Sequence, residues 1–137
     1  MFIDTSAIIA MLAGEAEQRA MARAVEAAAK RFSSGLVRLE SVMALSRFDL
    51  GGPLVCGDVV DRLLTRFDIG ILSIDDQISR IAVTALSRYG KGQGHAAQLN
   101  LSDCMSYAVA KHHQLPILCK GNDFALTDID VVKLSSF

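Results

Sequence analysis

Four acids of this chain, Asp4, Glu40, Asp103 and Asp123, stand in settings from which carboxylates do chemistry. The short apolar run Met1-Phe2-Ile3 feeds Asp4, Thr5 and Ser6 and then an apolar helical pattern, so Asp4 reads as the end of a first strand. In open α/β sheets ligands bind beyond the carboxyl ends of the strands, which is where that acid falls. Asn122 and Asp123 follow a later apolar run, Pro116-Ile117-Leu118-Cys119, in the same way. Glu40 and Asp103 lie in helical patterns that can present them at the same mouth. Converging carboxylates repel, and a hard divalent cation bound through oxygen is the usual reason to bring them together. Thr5, Ser6 and Asn122 add neutral oxygens. With no thiolate or imidazole at ligand spacing, Mg²⁺ or Mn²⁺ suits this set better than zinc. A plainer reading stands beside this one: Asp4 or Thr5 caps the next helix, and Glu40 is a solvated helix side chain.

Such a mouth needs strands that end together and helices that cover them. After Asp4, Thr5–Leu12 has the apolar density of a short buried helix, and Gly14 offers its stop. Residues 15–30 read as a second helix, alanine-rich, with Glu15 and Glu17 early and Lys30 and Arg31 late, as the helix dipole favours. Phe32–Ser34 is a very short strand. Residues 36–48 form a third helix with Leu36, Leu39, Met43 and Leu45 on or near one stripe and Glu40 at its rim. Gly51-Gly52-Pro53 breaks the chain, and a helix restarts over 59–67. The β-branched run Ile69-Gly70-Ile71-Leu72-Ser73-Ile74 is a strand, followed by Asp75-Asp76 and a helix over 77–89. A glycine-rich loop over 91–95 leads to a helix over 103–113, with Asp103 in its first turn. Pro116-Ile117-Leu118-Cys119 is a last buried strand, and Val131, Val132 and Leu134 close the sheet at an edge. Short strands alternating with longer helices predict an α/β fold, a mostly parallel sheet with helices on both faces.

The 137 residues, 51% hydrophobic and 6% aromatic, suit a single domain over 1–137 with one aliphatic core. No apolar run approaches the ~18 to 20 residues of a membrane span, and no Lys or Arg precedes a secretory core. The expectation is no membrane segment, no signal peptide and a cytoplasmic location. Cys56, Cys104 and Cys119, odd in number and without C-x-x-C spacing, read as small buried hydrophobes. With 14 basic and 15 acidic side chains the formal charge is −1, so bulk charge announces no polyanion and any such partner is held locally.

Four motifs in order carry a family likeness: Phe2-Ile3-Asp4-Thr5-Ser6; Arg38-Leu39-Glu40-Ser41; Tyr89-Gly90-Lys91-Gly92-Gln93-Gly94-His95 leading into Leu99-Asn100-Leu101-Ser102-Asp103-Cys104; and Gly121-Asn122-Asp123-Phe124. Across essentially the whole chain the sequence resembles the PIN-domain ribonucleases, specifically the VapC toxins of toxin–antitoxin pairs. The resemblance implies a three-layer α/β/α sandwich, Mg²⁺-dependent endonucleolytic cleavage of RNA, a homodimer, and inhibition by a cognate VapB-type antitoxin. It matches Asp4 and Asp103 to the family's principal metal ligands, Glu40 to its helix acid and Asp123 to its fourth acid. Two departures stand out. Ala96 follows the loop His where the family often has Pro, and Asn122-Asp123 stands where related chains often carry two acids, so either side chain can fill the fourth position.

The chemistry so implied is phosphodiester hydrolysis by a metal-activated water. Asp4 and Asp103 hold the ion, Glu40 or Asp123 holds a second ion or orients the water, and Thr5 or Ser6 bonds a ligand carboxylate or a bound water. Arg38, Lys91, His95 and Lys120 are candidates for contact with RNA phosphates, against their reading as solvated or loop residues. Asp75-Asp76 is more simply a helix cap, and His112 and His113 sit at a helix end that favours cations. Two rival classes remain: a metal-dependent phosphatase or phosphoryl-acceptor domain, which wants a second acid two residues after its nucleophilic Asp, and a non-catalytic binding module whose acids are caps.

Overall fold

The structure is a computed structural model, and it describes residues 1–135. Its strands are β1 (Phe2–Ile3), β2 (Phe32–Ser34), β3 (Gly70–Leu72) and β4 (Ile117–Leu118). Its helices are α1 (Thr5–Leu12), α2 (Gln18–Ala27), α3 (Gly35–Leu45), α4 (Pro53–Arg66), α5 (Asp76–Tyr89) and α6 (Leu101–His112). All strand pairs are parallel and the order is β3-β2-β1-β4. Phe2 pairs with Phe32 on one side and Ile117 on the other, so β1 is central, and its residues are wholly buried. Parallel neighbours require helical crossovers, and these cover the two faces as a three-layer α/β/α sandwich.

The order of the strands locates the site. From β1 the chain steps to β2 and then β3, moving one way across the sheet, before α5 and α6 carry it back to β4 on the opposite side of β1. The crevice beyond the carboxyl end of β1 is therefore the point where the winding reverses, the place where open parallel sheets bind ligands. Asp4 is the first residue past that end, and its amide donates to the Leu118 carbonyl at 3.0 Å, tying it to β4.

Several expectations shift in detail. α4 begins at Pro53 rather than at Val59: Gly52, at φ 95°, turns the chain, and a proline in the first helical turn has its φ already set and no amide to waste. The inward stripe Cys56, Val60 and Leu63 begins with a small cysteine, while the larger Leu54 and Val55 of that first turn are exposed, so the start is masked. α3 does not bury the stripe expected of it. Val37, Ser41 and Leu45 face inward at a spacing of four, whereas Leu39 is 57% and Met43 65% exposed. The inward stripe is disguised by its small polar member, Ser41, and by large hydrophobics on the outer face. β3 is shorter than the run expected over 69–74, three residues at the sheet edge with Ile71 40% exposed. Val131 makes a single parallel bridge to Ile117, so the far edge closes by one pair and the half-buried Val132 and Leu134 pack without forming a strand. All three cysteines are free and buried, as small hydrophobes should be. Among the described residues, no helix is long and apolar enough to cross a membrane.

Candidate functional site

Asp4, Glu40 and Asp103 line one open depression of about 360 Å³ together with Thr5, Ser6, Asn100 and Ser102. Each acid is delivered by a different local device. Asp4 caps α1: its carboxylate accepts from the Ser6 amide at 3.1 Å and the Ser6 hydroxyl at 2.8 Å. The same Ser6 oxygen accepts from the Lys120 amide at 2.9 Å, so a single hydroxyl joins α1, Asp4 and the chain after β4. Capping and function are not alternatives here, because a carboxylate has lone pairs beyond those the cap uses.

Asp103 enters through a capping box. Asn100 accepts from the Asp103 amide at 2.9 Å while the Asp103 carboxylate accepts from the Asn100 amide at 3.1 Å, which fixes the first turn of α6. Glu40 projects from the middle of α3 and is held by both oxygens: Thr5 Oγ1 donates to Oε1, and Ser102 Oγ donates to Oε2. Three helices thus meet at three carboxylates through the hydroxyls of residues 5, 6 and 102.

The electrostatics are those of acids without cations. Burial pushes the Asp4 carboxyl above its ordinary value against the pull of the Ser6 and Ser106 hydrogen bonds, and Glu40 adds to the rise. Asp103 is pushed up to about 6, first by burial and then by the negative charges of Asp4, Asp123 and Glu40, with the Asn100 amide opposing. The neighbouring Cys119 thiol is pushed up to about 12 by burial and by Asp4, Asp103 and Asp123, which keeps it neutral near pH 7. The cations of the rim do not neutralise the cluster. Lys120 pairs with Glu15 and, at 3.4 Å, with Glu17, and the Arg47 Nε donates to the Ala44 carbonyl at 3.3 Å.

The remaining candidates fall elsewhere. Asn122 and Asp123 are exposed at the turn after β4; Asp123 acts on Asp103 through its charge but is not part of the depression's wall. Arg38 turns to Asp61 at 3.0 Å, on the α4 side of α3. His95 accepts from the Ala97 amide at 3.0 Å through Nδ1 and packs edge-on to Tyr89, with ring centres 5.0 Å apart, so it orders its own loop. Lys91 is exposed in that loop. Asp75 caps α5 by accepting from the Ile78 amide at 2.9 Å. His112 and His113 meet edge to face at the end of α6, with ring centres 4.9 Å apart. Sequence reasoning passed over Ser102, Asn100 and Arg47. For Asn100 the signal was available, since its place three residues before Asp103 is the spacing of a capping box, whereas no local rule points to Ser102.

The donor set is all oxygen. Among the described residues no three His, Cys, Asp or Glu side chains form a ready-made metal cage. Mg²⁺ does not need one, since it commonly takes one or two carboxylates and keeps several waters. Two partly desolvated carboxylates that repel each other, with hydroxyls and a side-chain amide beside them, fit a small hard cation and fit zinc poorly.

A family model described as PIN domain matches residues 1–130. Ribonuclease VapC42 of Mycobacterium tuberculosis is 37% identical over 129 residues, spanning 94% of this chain and 96% of that one. Ribonuclease VapC of Mycolicibacterium smegmatis is 38% identical over 133 residues, spanning 96% and 99%. Among solved structures, the fold matches Mycobacterium tuberculosis VapC20, described as a sarcin-ricin loop cleaving toxin, with a TM-score of 0.74 at 19% identity over 96% of this chain and 97% of that one. A toxin–antitoxin complex from Klebsiella pneumoniae matches with a TM-score of 0.69 at 20% identity, over 96% and 95%.

Proposed function

The chain belongs to the VapC group of the PIN-domain family, and from that premise we propose that it is a Mg²⁺-dependent endoribonuclease, a toxin that a cognate antitoxin neutralises. The observation that carries this reading is the meeting of Asp4, Glu40 and Asp103 in one depression at the reversal point of the sheet, with two of the three carboxyls raised above their ordinary values. Asp4 and Asp103 are the residues that would hold the ion. Bound between them, a divalent cation would supply an activated water and would offset charge on the phosphate. Glu40, fixed from both oxygens, is placed to accept a proton from water or to orient it. Arg47 at the rim, and Lys120 when it leaves Glu15, are the cations that meet the RNA backbone.

Incubation of the purified chain with a mixed RNA pool, with Mg²⁺ or with EDTA, tests the reading. Cleavage that requires Mg²⁺ and is lost in Asp4→Asn and in Asp103→Asn is the expected result, since each change removes a ligand charge without removing packing. Wild-type cutting by either variant would show that these acids do not hold the ion. A phosphatase would instead release inorganic phosphate from monoesters, and a binding module would retain RNA uncut.

The antitoxin reading is supported by a second feature. The exposed apolar residues Leu39, Met43, Phe48, Leu50, Leu54 and Val55 run from the outer face of α3 to the first turn of α4, beside the acidic depression. Scattered single hydrophobics need no explanation, but a run of this kind in the chain, next to Ala44 and Arg47 of the acidic depression's wall, suits a partner segment with apolar anchors and a basic side chain. The homodimer would use another face, where Val83 and Leu86 of α5 are exposed.

A further inference from the structure

We propose that Ser102 is a positioning residue for Glu40, holding its carboxylate at the mouth from the first turn of α6; the inference rests on the nuclease reading of the site. Glu40 stands in the middle of α3 with its carboxylate half open to solvent and other acids nearby. Left to itself, a flexible side chain in that field turns toward water, since charge repulsion and side-chain entropy favour the same outward rotamers. Two hydroxyl donors oppose this. Thr5 at the start of α1 takes Oε1, and Ser102 at the start of α6 takes Oε2. The two donors come from residues 35 and 62 positions away in the chain, so the carboxylate is gripped between elements rather than by its own helix.

Ser102 has one hydrogen to give and two acceptors within reach, Glu40 Oε2 and, at 3.0 Å, Asn100 Oδ1. A charged oxygen is the stronger acceptor, while Asn100 Oδ1 has its cap bond from the Asp103 amide at 2.9 Å whichever way the serine turns. The hydrogen therefore goes to Glu40. Asn100 accordingly sets both neighbours, capping α6 through its oxygen and leaving the serine free for the acid. Donation to one lone pair of each Glu40 oxygen still leaves the other lone pairs for water or substrate, so the grip orients the group without consuming it.

The test is a cycle of Ser102→Ala, Glu40→Ala and the double variant, with Ser102→Thr beside it. In Mg²⁺, Ser102→Ala should lower kcat on RNA about tenfold or more with KM within about twofold, because a misdirected group costs rate rather than binding. Ser102→Thr, which keeps the hydroxyl, should restore most of that rate. In metal-free melts Ser102→Ala should lower Tm by about 3 °C when Glu40 is present and leave it unchanged in the Glu40→Ala background. Equal melting losses in both backgrounds would mean that Ser102 serves packing alone, and wild-type kcat in Ser102→Ala would overturn the proposal outright. Asp103→Asn is assayed in parallel. Should it cut RNA normally, the metal reading fails, while the melting cycle still decides whether Ser102 grips Glu40.

Discussion

Metal-free protein should become more stable as the pH falls from 7 to 5, and Asp103→Asn should reproduce that gain at pH 7. The Asp103 carboxyl is pushed up to about 6 in the folded chain. An unfolded Asp titrates near ~3.9, so the folded state binds its proton first as pH falls, and the penalty for holding the charge is fully present above the folded value and gone below the unfolded one. At ~1.36 kcal/mol per pH unit the gap is worth roughly 3 kcal/mol, which the partial exposure of the group reduces to about 1.5. About half of this is recovered between pH 7 and pH 5, roughly 0.7 kcal/mol, or about 2 °C in Tm for a chain of this size. Asp4 is shifted in the same direction and adds to the effect. Asp128 carries the opposite sign, its carboxyl lowered by the Tyr107 hydroxyl and by Lys111. Its contribution is lost only as pH falls below the ordinary carboxylate range, outside the 5 to 7 window.

Asp103→Asn removes the charge while its side-chain oxygen can still accept from the Asn100 amide, so the cap of α6 survives. In EDTA at pH 7 the variant should melt about 4 °C above wild type and respond less to pH. Mg²⁺ at ten times its dissociation constant should stabilise wild type by about 1.4 kcal/mol and the variant by far less. Melts at pH 5 and 7, with EDTA and with Mg²⁺, read all of this. A variant that melts below wild type at pH 7 in EDTA, together with a wild type indifferent to Mg²⁺, would refute the reasoning, because these acids would then be caps or solvated groups with no mutual strain.

Other outcomes follow from the same geometry. Arg47→Ala should weaken RNA binding severalfold and flatten its salt dependence by about 0.7 in log–log slope, one phosphate contact's share, as filter binding across a salt series would reveal. Arg38→Ala, which removes only an exposed pair with Asp61, should change that slope little. Met43→Glu should abolish co-purification with the antitoxin while RNA cleavage by the free protein persists; retention of the partner would move its seat away from α3.

Asp4 and Asp103 were legible from sequence because their placement depends on local rules. An acid that ends an apolar run lies beyond a strand, and an acid three residues after Asn lies in a first helical turn. Glu40 was legible only as a residue beside a stripe, and the stripe itself was misread, since a buried Ser41 stood in for the expected hydrophobe while Leu39 and Met43 faced outward. Periodicity counts apolar residues and cannot tell a face that packs on the core from one that awaits a partner. Arg38 points elsewhere for a related reason: it is two residues from Glu40, hence well round the helix from it, and it pairs with Asp61 on α4.

Ser102 shows where local rules end. A serine in the second turn position after a cap predicts nothing about the direction of its hydroxyl, which here is decided by how α6 approaches α3. That approach follows from the reversal of the sheet, because α6 is the crossover that returns the chain to β4 beside β1. Were β4 to continue outward past β3, the amino end of α6 would open beyond the far edge, and neither Asp103 nor Ser102 would meet Asp4 and Glu40. The acids are therefore not a motif that the fold happens to carry. They are brought together by the one topological step at which the winding changes direction, and the hydroxyls of Thr5, Ser6 and Ser102 fix side chains that mutual repulsion would otherwise scatter.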